Sequence, residues 1–494
     1  MTYIERKAGS PIKKDQHSMP LFEALKKYHE KKVTPFDVPG HKHGKGLPEL
    51  ADFIGEKVLQ VDVNSMKPLD FLNDPSSVIK EAQELAAQAF SADHCFFLVN
   101  GTTSAVQAMI MSTCNPGEKV ILPRNAHKSA INGLILSGAQ PVYIQPQINP
   151  QLGIAMGVTV ESVELAIAEN PDAKAVFIIN PTYYGYTGNI REIVKLAHRH
   201  GMAVLVDEAH GAHFGFSDGL PQDAMSAGAD MSSVSLHKTG GSLTQSSLLL
   251  MREGLIDPGK VRAIINLTQT TSASYLLMSS LDVARKSLAT NGSENLQEIL
   301  GISSWARESI NAIDGLYAFG KELLDGKGVY NFDETKLGIN VTGIGMTGFE
   351  AYDILRDEYN IQMELGDATN ILAIISLGDA MDSVSKLVGA LRDMAVRFGK
   401  EKIKIKTPPL KNPEVIVSPR NAFYGMKRTV KLSEAKGMIC AESVMAYPPG
   451  IPIVAMGEKI NEEMIEYIGF IKGQKTTLSG TKDPNVEYIE VLGY

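Results

Sequence analysis

The sequence is poor in the features that mark several specialised classes of protein. Only three of its 494 residues are cysteines, and Cys95, Cys114 and Cys440 are too few and too scattered for a disulfide framework or a zinc site. No stretch approaches the roughly 18 consecutive apolar residues that a membrane-spanning helix needs. The first sixteen residues are polar and lack the apolar core of a secretory signal peptide. We therefore expect a cytoplasmic protein.

The sequence also lacks a block of positive charge. Lys and Arg total 48 against 56 Asp and Glu, which gives a formal net charge of −8. A net acidic chain of this kind is a poor candidate for binding nucleic acid or an anionic membrane. The 44 glycines and 24 prolines show no period, which excludes a collagen-like or low-complexity chain. With 44% hydrophobic residues, the chain is expected to be globular, with roughly two to four domains.

Short apolar runs alternate with helix-compatible stretches between about residues 36 and 295. This alternation predicts βαβ units and an α/β domain with a mostly parallel sheet. The predicted strands are Phe96–Val99, Val120–Leu122, Val142–Ile144, Ala175–Ile179, Ala203–Val206, Ser233–Ser235 and Leu248–Met251. The predicted helices between them are Ser104–Thr113, Ser129–Ser137, Thr159–Ala168 and Ile190–His198.

The remainder of the chain has a different character. Residues 1–35 predict an N-terminal arm with one amphipathic helix, and residues 296–400 predict a smaller α+β domain. Residues 401–494 predict a C-terminal domain, which starts near EKIKIKT and Pro408–Pro409 and contains YPPGIP (Tyr447–Pro452). The predicted helices are Leu21–Tyr28, Ser303–Ile313, Thr347–Tyr359 and Met381–Phe398, and the predicted strands are Gly338–Val341, Ile361–Glu364 and Ile371–Leu377.

Polar residues follow five strands of the predicted large sheet. In open α/β sheets, ligands bind at the edge formed by the carboxyl ends of the strands. We therefore expect a functional site at this edge. The segments that reach it are Gly101–Ser104, Arg124–Lys128, Pro181–Gly185, Asp207–Gly211 and Leu236–Gly241.

Three of these segments are ambiguous when each is taken alone. Gly101–Ser104 opens a predicted helix, where backbone N–H groups and three hydroxyls suit a phosphate, although an ordinary helix N-cap is the favoured interpretation. Asp207 ends a buried strand and needs a partner, which could be a protonated ring nitrogen of a cofactor or a structural salt bridge. His127 could stack on a cofactor ring or be an ordinary satisfied histidine.

Lys238 makes the combined pattern specific. It follows a buried strand and is surrounded by small and hydroxyl residues, and a desolvated amine has a lowered pKa that suits bond formation with an aldehyde. A cofactor with an aldehyde, a phosphate and a pyridine ring would use Lys238, the Gly101–Ser104 turn, Asp207 and His127 together. The sequence therefore predicts a pyridoxal 5′-phosphate enzyme.

Seven motifs in order over about residues 20–455 make the sequence resemble a known family. They are PGHKHG (Pro39–Gly44), NGTTSA (Asn100–Ala105), PRNAHKS (Pro123–Ser129), NPTYYG (Asn180–Gly185), VDEAHGAH (Val206–His213), SLHKTGGSLTQSS (Ser235–Ser247) and YPPGIP. The sequence resembles the Orn/Lys/Arg decarboxylases, which have the aspartate-aminotransferase fold, fold type I of the pyridoxal-phosphate enzymes. It is most similar to the short bacterial arginine decarboxylases of Gram-positive type. The longer members carry a receiver-like wing domain before PGHKHG, where only a short arm is expected here.

The resemblance implies a role for each matching residue. Lys238 would bind the cofactor as an imine, Asp207 would pair with the pyridine nitrogen, and His127 and Ala209 would cover the two ring faces. Glu364, in QMELGD, would bind the distal cation of the substrate, and Ser272 would cross a dimer interface to the partner's phosphate. Further residues implied near the cofactor are Thr102, Thr103, Ser104, Thr182, Ser235, His237 and His210, the last in place of a tryptophan of the longer members.

The implied reaction is decarboxylation of a basic amino acid, with arginine giving agmatine in polyamine biosynthesis. Lysine or ornithine is the alternative substrate, since the three activities share the family motifs. A transaminase or lyase of the same fold, or a non-catalytic cofactor-binding protein, is less favoured. Transaminases hold the α-carboxylate with an arginine. The predicted α+β domain (residues 296–400) has no obvious candidate for this arginine before residue 398. Either Lys238 or His237 would protonate Cα, and shared active sites would require at least a homodimer.

Overall fold

The computed structural model describes residues 14–399, 401–403, 413–447, 451–473 and 477–493. No helix within these ranges combines the length and the apolar character needed to cross a bilayer. Pro448–Gly450 of YPPGIP and the predicted boundary at Pro408–Pro409 lie outside the described residues.

The described residues form sixteen α-helices. In chain order they are α1 (Pro20–Glu30), α2 (Pro48–Ile54), α3 (Glu56–Gln60), α4 (Val78–Ala89), α5 (Gly101–Thr113), α6 (Lys128–Ser137), α7 (Val160–Glu169), α8 (Ile190–Arg199), α9 (Ala224–Ala227), α10 (Leu236–Thr239), α11 (Pro258–Thr268), α12 (Tyr275–Asn311), α13 (Gly348–Tyr359), α14 (Met381–Phe398), α15 (Pro419–Tyr424) and α16 (Glu462–Gly473).

The strands form one large sheet and several small ones. In chain order they are β1 (His94–Leu98), β2 (Lys119–Pro123), β3 (Gln140–Ile144), β4 (Ile148–Asn149), β5 (Ile154–Ala155), β6 (Ala175–Ile179), β7 (Tyr186–Thr187), β8 (Ala203–Asp207), β9 (Met231–Val234), β10 (Ser247–Met251), β11 (Tyr317–Ala318), β12 (Asn331–Phe332), β13 (Lys336–Asn340), β14 (Leu365–Gly366), β15 (Asn370–Ile374), β16 (Lys427–Lys431), β17 (Val444–Tyr447), β18 (Ile451–Val454), β19 (Thr477–Ser479) and β20 (Tyr488–Leu492).

The central sheet has seven strands in the order β1-β10-β9-β8-β6-β2-β3, and only β10 runs antiparallel to its neighbours. Its strands are apolar on both faces, as in Ala203–Asp207, where every residue is buried. Strands of that character need helices on both sides, and two separate buried clusters fill the two faces. The mostly parallel sheet expected from the sequence is confirmed.

Most strands of this sheet differ from the sequence prediction by one or two residues at an end, and the difference at β9 affects the site. The strand expected at Ser233–Ser235 is β9, which ends at Val234, and Ser235 is the N-cap residue that precedes the single turn of α10. Small serine side chains are compatible with both a strand and a helical turn. The residue pattern of this segment therefore does not mark where the strand ends. The consequence is that Lys238 lies on a helical turn directly after β9.

A second core surrounds the antiparallel sheet β11-β13-β15-β14. The helix expected at Ser303–Ile313 is the last part of α12, which runs for 37 residues without a break. The strand expected at Ile361–Glu364 is wrong, because those residues form a loop and β14 starts at Leu365. The helix expected at Met381–Phe398 is α14 with the same bounds.

Short pairings bring this second sheet against the carboxyl edge of the large one. Strand β12 pairs with β7, which follows the NPTYYG turn. Gly185 in that turn has φ +94°, and a Cβ there would lie 2.8 Å from Cγ of Lys336. Because a left-handed residue without a side chain is needed here, the turn and Lys336 can approach closely. The first residue of β13 is thereby placed beside the loops of the large sheet.

The part of the N-terminal arm that the structure describes, from residue 14 onward, contacts a buried ion pair on α12. The Arg285 guanidinium donates to Asp282 Oδ1 at 2.6 Å and to the backbone oxygens of Gln16 and Ser18. Asp282 Oδ2 accepts from the backbone N–H of Leu21 at 3.0 Å, near the start of α1. Both charged side chains are fully buried, so the segment from Gln16 to Leu21 is anchored to α12.

Candidate active site

The carboxyl edge of the large sheet gathers most of the residues predicted for the site. Asp207 is the last residue of β8, and α10 with Lys238 follows the adjacent strand β9. Helix α5 begins at Gly101, and Thr102 Oγ1 lies 2.9 Å from Ser235 Oγ. Three segments distant in sequence therefore meet at one place.

Lys238 is half-buried, and its Nζ lies 2.8 Å from Nε2 of His210. Burial lowers the pKa of the Lys238 amine, although the negative charges of Asp207 and Glu364 act in the opposite direction. A lowered pKa enlarges the neutral fraction of the amine, which is the nucleophilic form. Lys238 is therefore suited to covalent bond formation with a carbonyl group.

Asp207 is a buried carboxylate beside this amine. Its Oδ1 accepts a hydrogen bond from the backbone N–H of Ala209 at 3.2 Å, and Ser233 Oγ lies 3.5 Å away. The charge of Asp207 raises the pKa of both His127 and Lys238, which places the three groups near one another. The carboxylate can pair with a cationic ring nitrogen placed between them.

The N-terminus of α5 forms a cradle for an anion. No side chain caps this 13-residue helix, so the ordinary N-cap interpretation of Gly101–Ser104 does not describe it. The Ser104 hydroxyl donates back to Gly101 O at 2.9 Å, whereas Thr102 and Ser235 pair their hydroxyls at the helix start. Thr103 is exposed there. Backbone N–H groups and hydroxyls at a helix start suit a phosphate.

Two further histidines present one nitrogen each to local partners. His127 caps α6, and its Nδ1 accepts from the Ser129 N–H at 3.2 Å. His237 Nδ1 lies 3.0 Å from Ser246 O, which makes it the donor in that bond. Burial lowers the pKa of both imidazoles. In each ring, Nε2 is left for other partners.

Glu364 and Thr182 also lie in this region. Tyr183 Oη donates to Glu364 Oε1 at 2.8 Å, and the Glu364 charge raises the pKa of Lys238 and of His237. Thr182 Oγ1 accepts from the Tyr186 N–H at 3.1 Å, so this hydroxyl stabilises the turn.

Ser272 is the one predicted residue placed apart from the others. It is exposed in the loop before α12, and its N–H donates to Thr270 Oγ1 at 3.1 Å. Within the described residues of a single chain, no hydrogen bond joins Ser272 to Lys238, Asp207 or Thr102.

Lys336 is a site residue that the sequence prediction missed. It is fully buried as the first residue of β13, and its Nζ lies 3.1 Å from Nδ1 of His210. The signal that could have found it is a lysine in an otherwise buried strand, KLGIN. His210 therefore lies between two lysines, with the Tyr183 ring 4.5 Å from its own.

Family models and several relatives match nearly the whole chain. The model described as Orn/Lys/Arg decarboxylase, major domain, matches residues 19–383, and the model of the C-terminal domain matches residues 405–484. An arginine decarboxylase of Bacillus subtilis is 46% identical over 481 residues, which cover 97% of this chain and 98% of that protein.

Solved structures share the fold at low sequence identity. A lysine decarboxylase of Francisella novicida has a TM-score of 0.84 at 21% identity, covering 96% of this chain and 81% of that one. An alanine–glyoxylate aminotransferase of a Nostoc species has a TM-score of 0.54 at 16% identity, covering 66% and 89%. The fold is therefore aspartate-aminotransferase-like, fold type I of the pyridoxal-phosphate enzymes, as the sequence predicts.

Proposed function

The chain belongs to the Orn/Lys/Arg decarboxylase family, and from this premise we propose that it converts L-arginine to agmatine and CO₂. Family and fold imply pyridoxal 5′-phosphate as the cofactor. The observation that carries the proposal is the half-buried amine of Lys238 beside the buried carboxylate of Asp207, next to an uncapped helix start. These are the partners that an aldehyde, a pyridine nitrogen and a phosphate require.

When bound, the cofactor supplies an aldehyde for the substrate amine and a ring that accepts the electron pair released as the Cα–carboxylate bond breaks. Lys238 would hold the aldehyde, and Asp207 would keep the ring nitrogen protonated. The N-terminus of α5, with Thr102, Thr103 and Ser235, would bind the phosphate. Ala209 and His127 would cover the ring. Lys238 or His237 would deliver the proton to Cα.

The arginines in the described part of residues 296–400 are engaged elsewhere or exposed. Arg307 donates to the backbone oxygens of Phe319, Glu334 and Lys336, and Arg392 is exposed on α14. Arg356 pairs with Asp353 and Asp357, and Arg397 pairs with Glu358 and Asp393, all at the surface. A transaminase fixes the α-carboxylate with such a cation, whereas a decarboxylase gains from leaving it poorly solvated. This difference favours loss of CO₂ over amino transfer.

Glu364 is proposed as the group that binds the distal cation of the substrate. Its carboxylate is held by Tyr183 Oη and acts electrostatically on Lys238, so it lies within reach of the reacting end. Arginine is favoured over lysine and ornithine because the Bacillus subtilis relative that is 46% identical carries the name arginine decarboxylase.

We also propose that the enzyme works as a homodimer with shared active sites. In a single chain, Ser272 is exposed, and Phe36 and Phe53 are 93% and 88% exposed. Large apolar side chains with this exposure are typical of surfaces that a partner covers. A second copy would bury them, and light scattering at micromolar concentration should give about twice the monomer mass.

The test combines a substrate panel with covalent trapping. We expect the purified holoenzyme to release CO₂ from arginine with a higher kcat/KM than from lysine or ornithine, without forming an α-keto acid. Borohydride should fix the cofactor on the peptide that contains Lys238, and Lys238→Ala should remove that label. A better rate with lysine would overturn the substrate, keto-acid formation would overturn the reaction, and labelling elsewhere would overturn the role of Lys238.

A further inference from the structure

Tyr183 spans the interval between the reacting end of the site and the carboxylate of Glu364. Its ring centroid lies 4.5 Å from that of His210 and 5.8 Å from Lys238 Nζ. At the other end of the side chain, Oη donates to Glu364 Oε1 at 2.8 Å. One half-buried side chain therefore connects the amine proposed to bind the cofactor with the carboxylate proposed to bind the substrate.

The main chain is fixed on both sides of this contact. Tyr183 lies in the turn after β6, where the Thr182 N–H donates to Tyr186 O at 2.8 Å. Glu364 lies directly before β14, and its N–H donates to Leu372 O of β15 at 2.9 Å. The bond between the two side chains therefore joins the edge of the large sheet to the second sheet at defined positions.

The next tyrosine of the same turn makes a second connection to this segment. Tyr184 is buried, and its Oη donates to Oδ2 of Asp367. Asp367 Oδ1 in turn accepts from the Thr369 N–H at 2.8 Å. Tyr184 thus anchors the QMELGD segment, whereas Tyr183 holds the exposed side chain of Glu364.

The exposed carboxylate of Glu364 needs a partner to keep one orientation. A glutamate side chain in water samples several rotamers, and holding it in one of them costs conformational entropy. The Tyr183 bond occupies one of the roughly four lone-pair positions of the carboxylate and restricts its plane before a ligand arrives. A guanidinium binds a carboxylate plane through two parallel N–H bonds, whereas an ammonium binds it as a point charge. A fixed plane therefore benefits a guanidinium more than an ammonium.

We propose that Tyr183 is a positioning residue that orients Glu364 and thereby favours a substrate with a distal guanidinium over one with a distal ammonium. The inference rests on the proposed function, because it takes Glu364 as the group that binds the distal cation. It adds that the preference for arginine depends on a hydroxyl that acts through Glu364.

The test removes this hydroxyl and keeps the ring. In the Tyr183→Phe holoenzyme, we expect kcat/KM for arginine to fall about tenfold, mostly through KM, because a charge-assisted bidentate contact depends strongly on geometry. The kcat/KM for lysine should fall by less than about threefold. Calorimetry gives a second readout without turnover, in which the affinity for agmatine should weaken about tenfold.

Tyr186→Phe is the matched control. The Tyr186 side chain is fully buried, and its hydroxyl donates to Gly320 O at 3.1 Å, so this variant removes a structural hydroxyl close to the same turn. The ratio of kcat/KM for arginine to kcat/KM for lysine should stay at the wild-type value. An equal ratio in wild type and Tyr183→Phe would overturn the proposal.

A double-mutant cycle with Glu364→Ala distinguishes action through Glu364 from a direct contact between Tyr183 and the substrate. Without the carboxylate, the hydroxyl has nothing to orient, so adding Tyr183→Phe should lower kcat/KM for arginine by less than about twofold. A loss of about tenfold in both backgrounds would overturn the proposal.

The same variants separate this inference from the proposed function. If Glu364→Ala leaves the KM for arginine unchanged, the proposed role of Glu364 is wrong, and the inference fails with it. If Glu364→Ala raises this KM but Tyr183→Phe does not, the role of Glu364 stands and the inference alone is wrong.

Discussion

At the scale of single residues, the site depends on how neighbouring groups direct protons. His127 and His237 each use Nδ1 for a local partner, Ser129 N–H in one ring and Ser246 O in the other. The opposite roles of Nδ1 in these bonds give the two neutral rings opposite tautomers, with Nε2–H in His127 and a bare Nε2 in His237. In these neutral rings only His127 donates from Nε2, and His237 must first take up a proton at Nε2 before it can deliver one to Cα.

The carboxylate of Glu364 gives a direct test of substrate binding. We expect Glu364→Gln to raise KM for arginine on the order of 10- to 100-fold with a smaller change in kcat, since a charge-assisted contact to the distal cation is lost. Steady-state kinetics measure both constants. Glu358→Gln, which removes an exposed carboxylate paired with Arg397, is the control. An unchanged KM in Glu364→Gln would contradict the assignment.

The sequence predicted Lys238, Asp207 and Gly101–Ser104 because each has a residue type and a position after a strand that limit its chemistry. Lys336 escaped prediction because its strand joins a different sheet, and only the tertiary fold brings it to His210. Ser104 and Thr182 are also predicted at the cofactor, and the hydroxyl of each additionally has a hydrogen bond to a local backbone group. Sequence position alone does not distinguish these two uses of a hydroxyl.

At the scale of elements, helix termini show how side chains remote from a helix can cap it. Asp70 is buried and accepts from the backbone N–H groups of Ser76, Ser77 and Ile79, at the start of α4. These bonds favour the carboxylate, and they lower the pKa of Asp70 despite the opposing effect of burial. A negative charge at a helix N-terminus is also favoured by the helix dipole.

The pH dependence of stability follows from the direction of this shift. Because the folded pKa of Asp70 is depressed, its contribution is present above the unfolded pKa of about 3.9 and is lost as pH falls through the lower folded value. We expect Asp70→Asn to lower the free energy of unfolding by about 1–2 kcal/mol at pH 7. Urea titrations should show a difference in the free energy of unfolding between wild type and Asp70→Asn that is constant between about pH 7 and 5. This difference should become smaller only below about pH 4.

The exposed Asp218→Asn provides the control for this experiment and should behave as wild type over the same range. If the difference in the free energy of unfolding between wild type and Asp70→Asn grows on acidification, the Asp70 carboxylate is not the capping charge.

Element boundaries were predictable where apolar periodicity and capping agree. Thr347 caps α13 in a reciprocal arrangement with Glu350, and the predicted helix starts at that threonine. Helix α12 could not be delimited in this way, because its sequence continues through Gly292 and several polar residues without a stop signal. The prediction therefore recovered only its last part.

At the scale of the whole molecule, a buried ion pair fixes the C-terminal segment to the large sheet. The Arg124 guanidinium donates to Glu458 Oε2 at 2.9 Å and to Ile453 O at 3.1 Å. Glu458 is 1% exposed, and Arg124 precedes His127 by one short turn. The loop that carries His127 is therefore held in part by residues more than 300 positions away in the chain.

Breaking this pair should affect both stability and activity. We expect Glu458→Gln to lower the free energy of unfolding by about 3–5 kcal/mol, because Arg124 would keep a buried charge without a counter-ion. The kcat/KM for arginine should fall as the His127 loop loosens. Calorimetry and kinetics measure the two effects, and Lys459→Gln, at an exposed pair with Glu414, should change stability by less than about 1 kcal/mol. If Glu458→Gln and Lys459→Gln lower the free energy of unfolding equally, the Arg124–Glu458 pair does not have this stabilising role.

Helix α12 has a consequence for how the molecule melts. It rises about 55 Å over its 37 residues, with Met278 and Leu281 in the core beneath the large sheet and Ile302 and Ala306 in the core of the second sheet. Neither core can lose its order without exposing one end of a helix that the other core holds. The helix therefore couples the stability of the two cores. We expect both cores to unfold in one cooperative transition on heating.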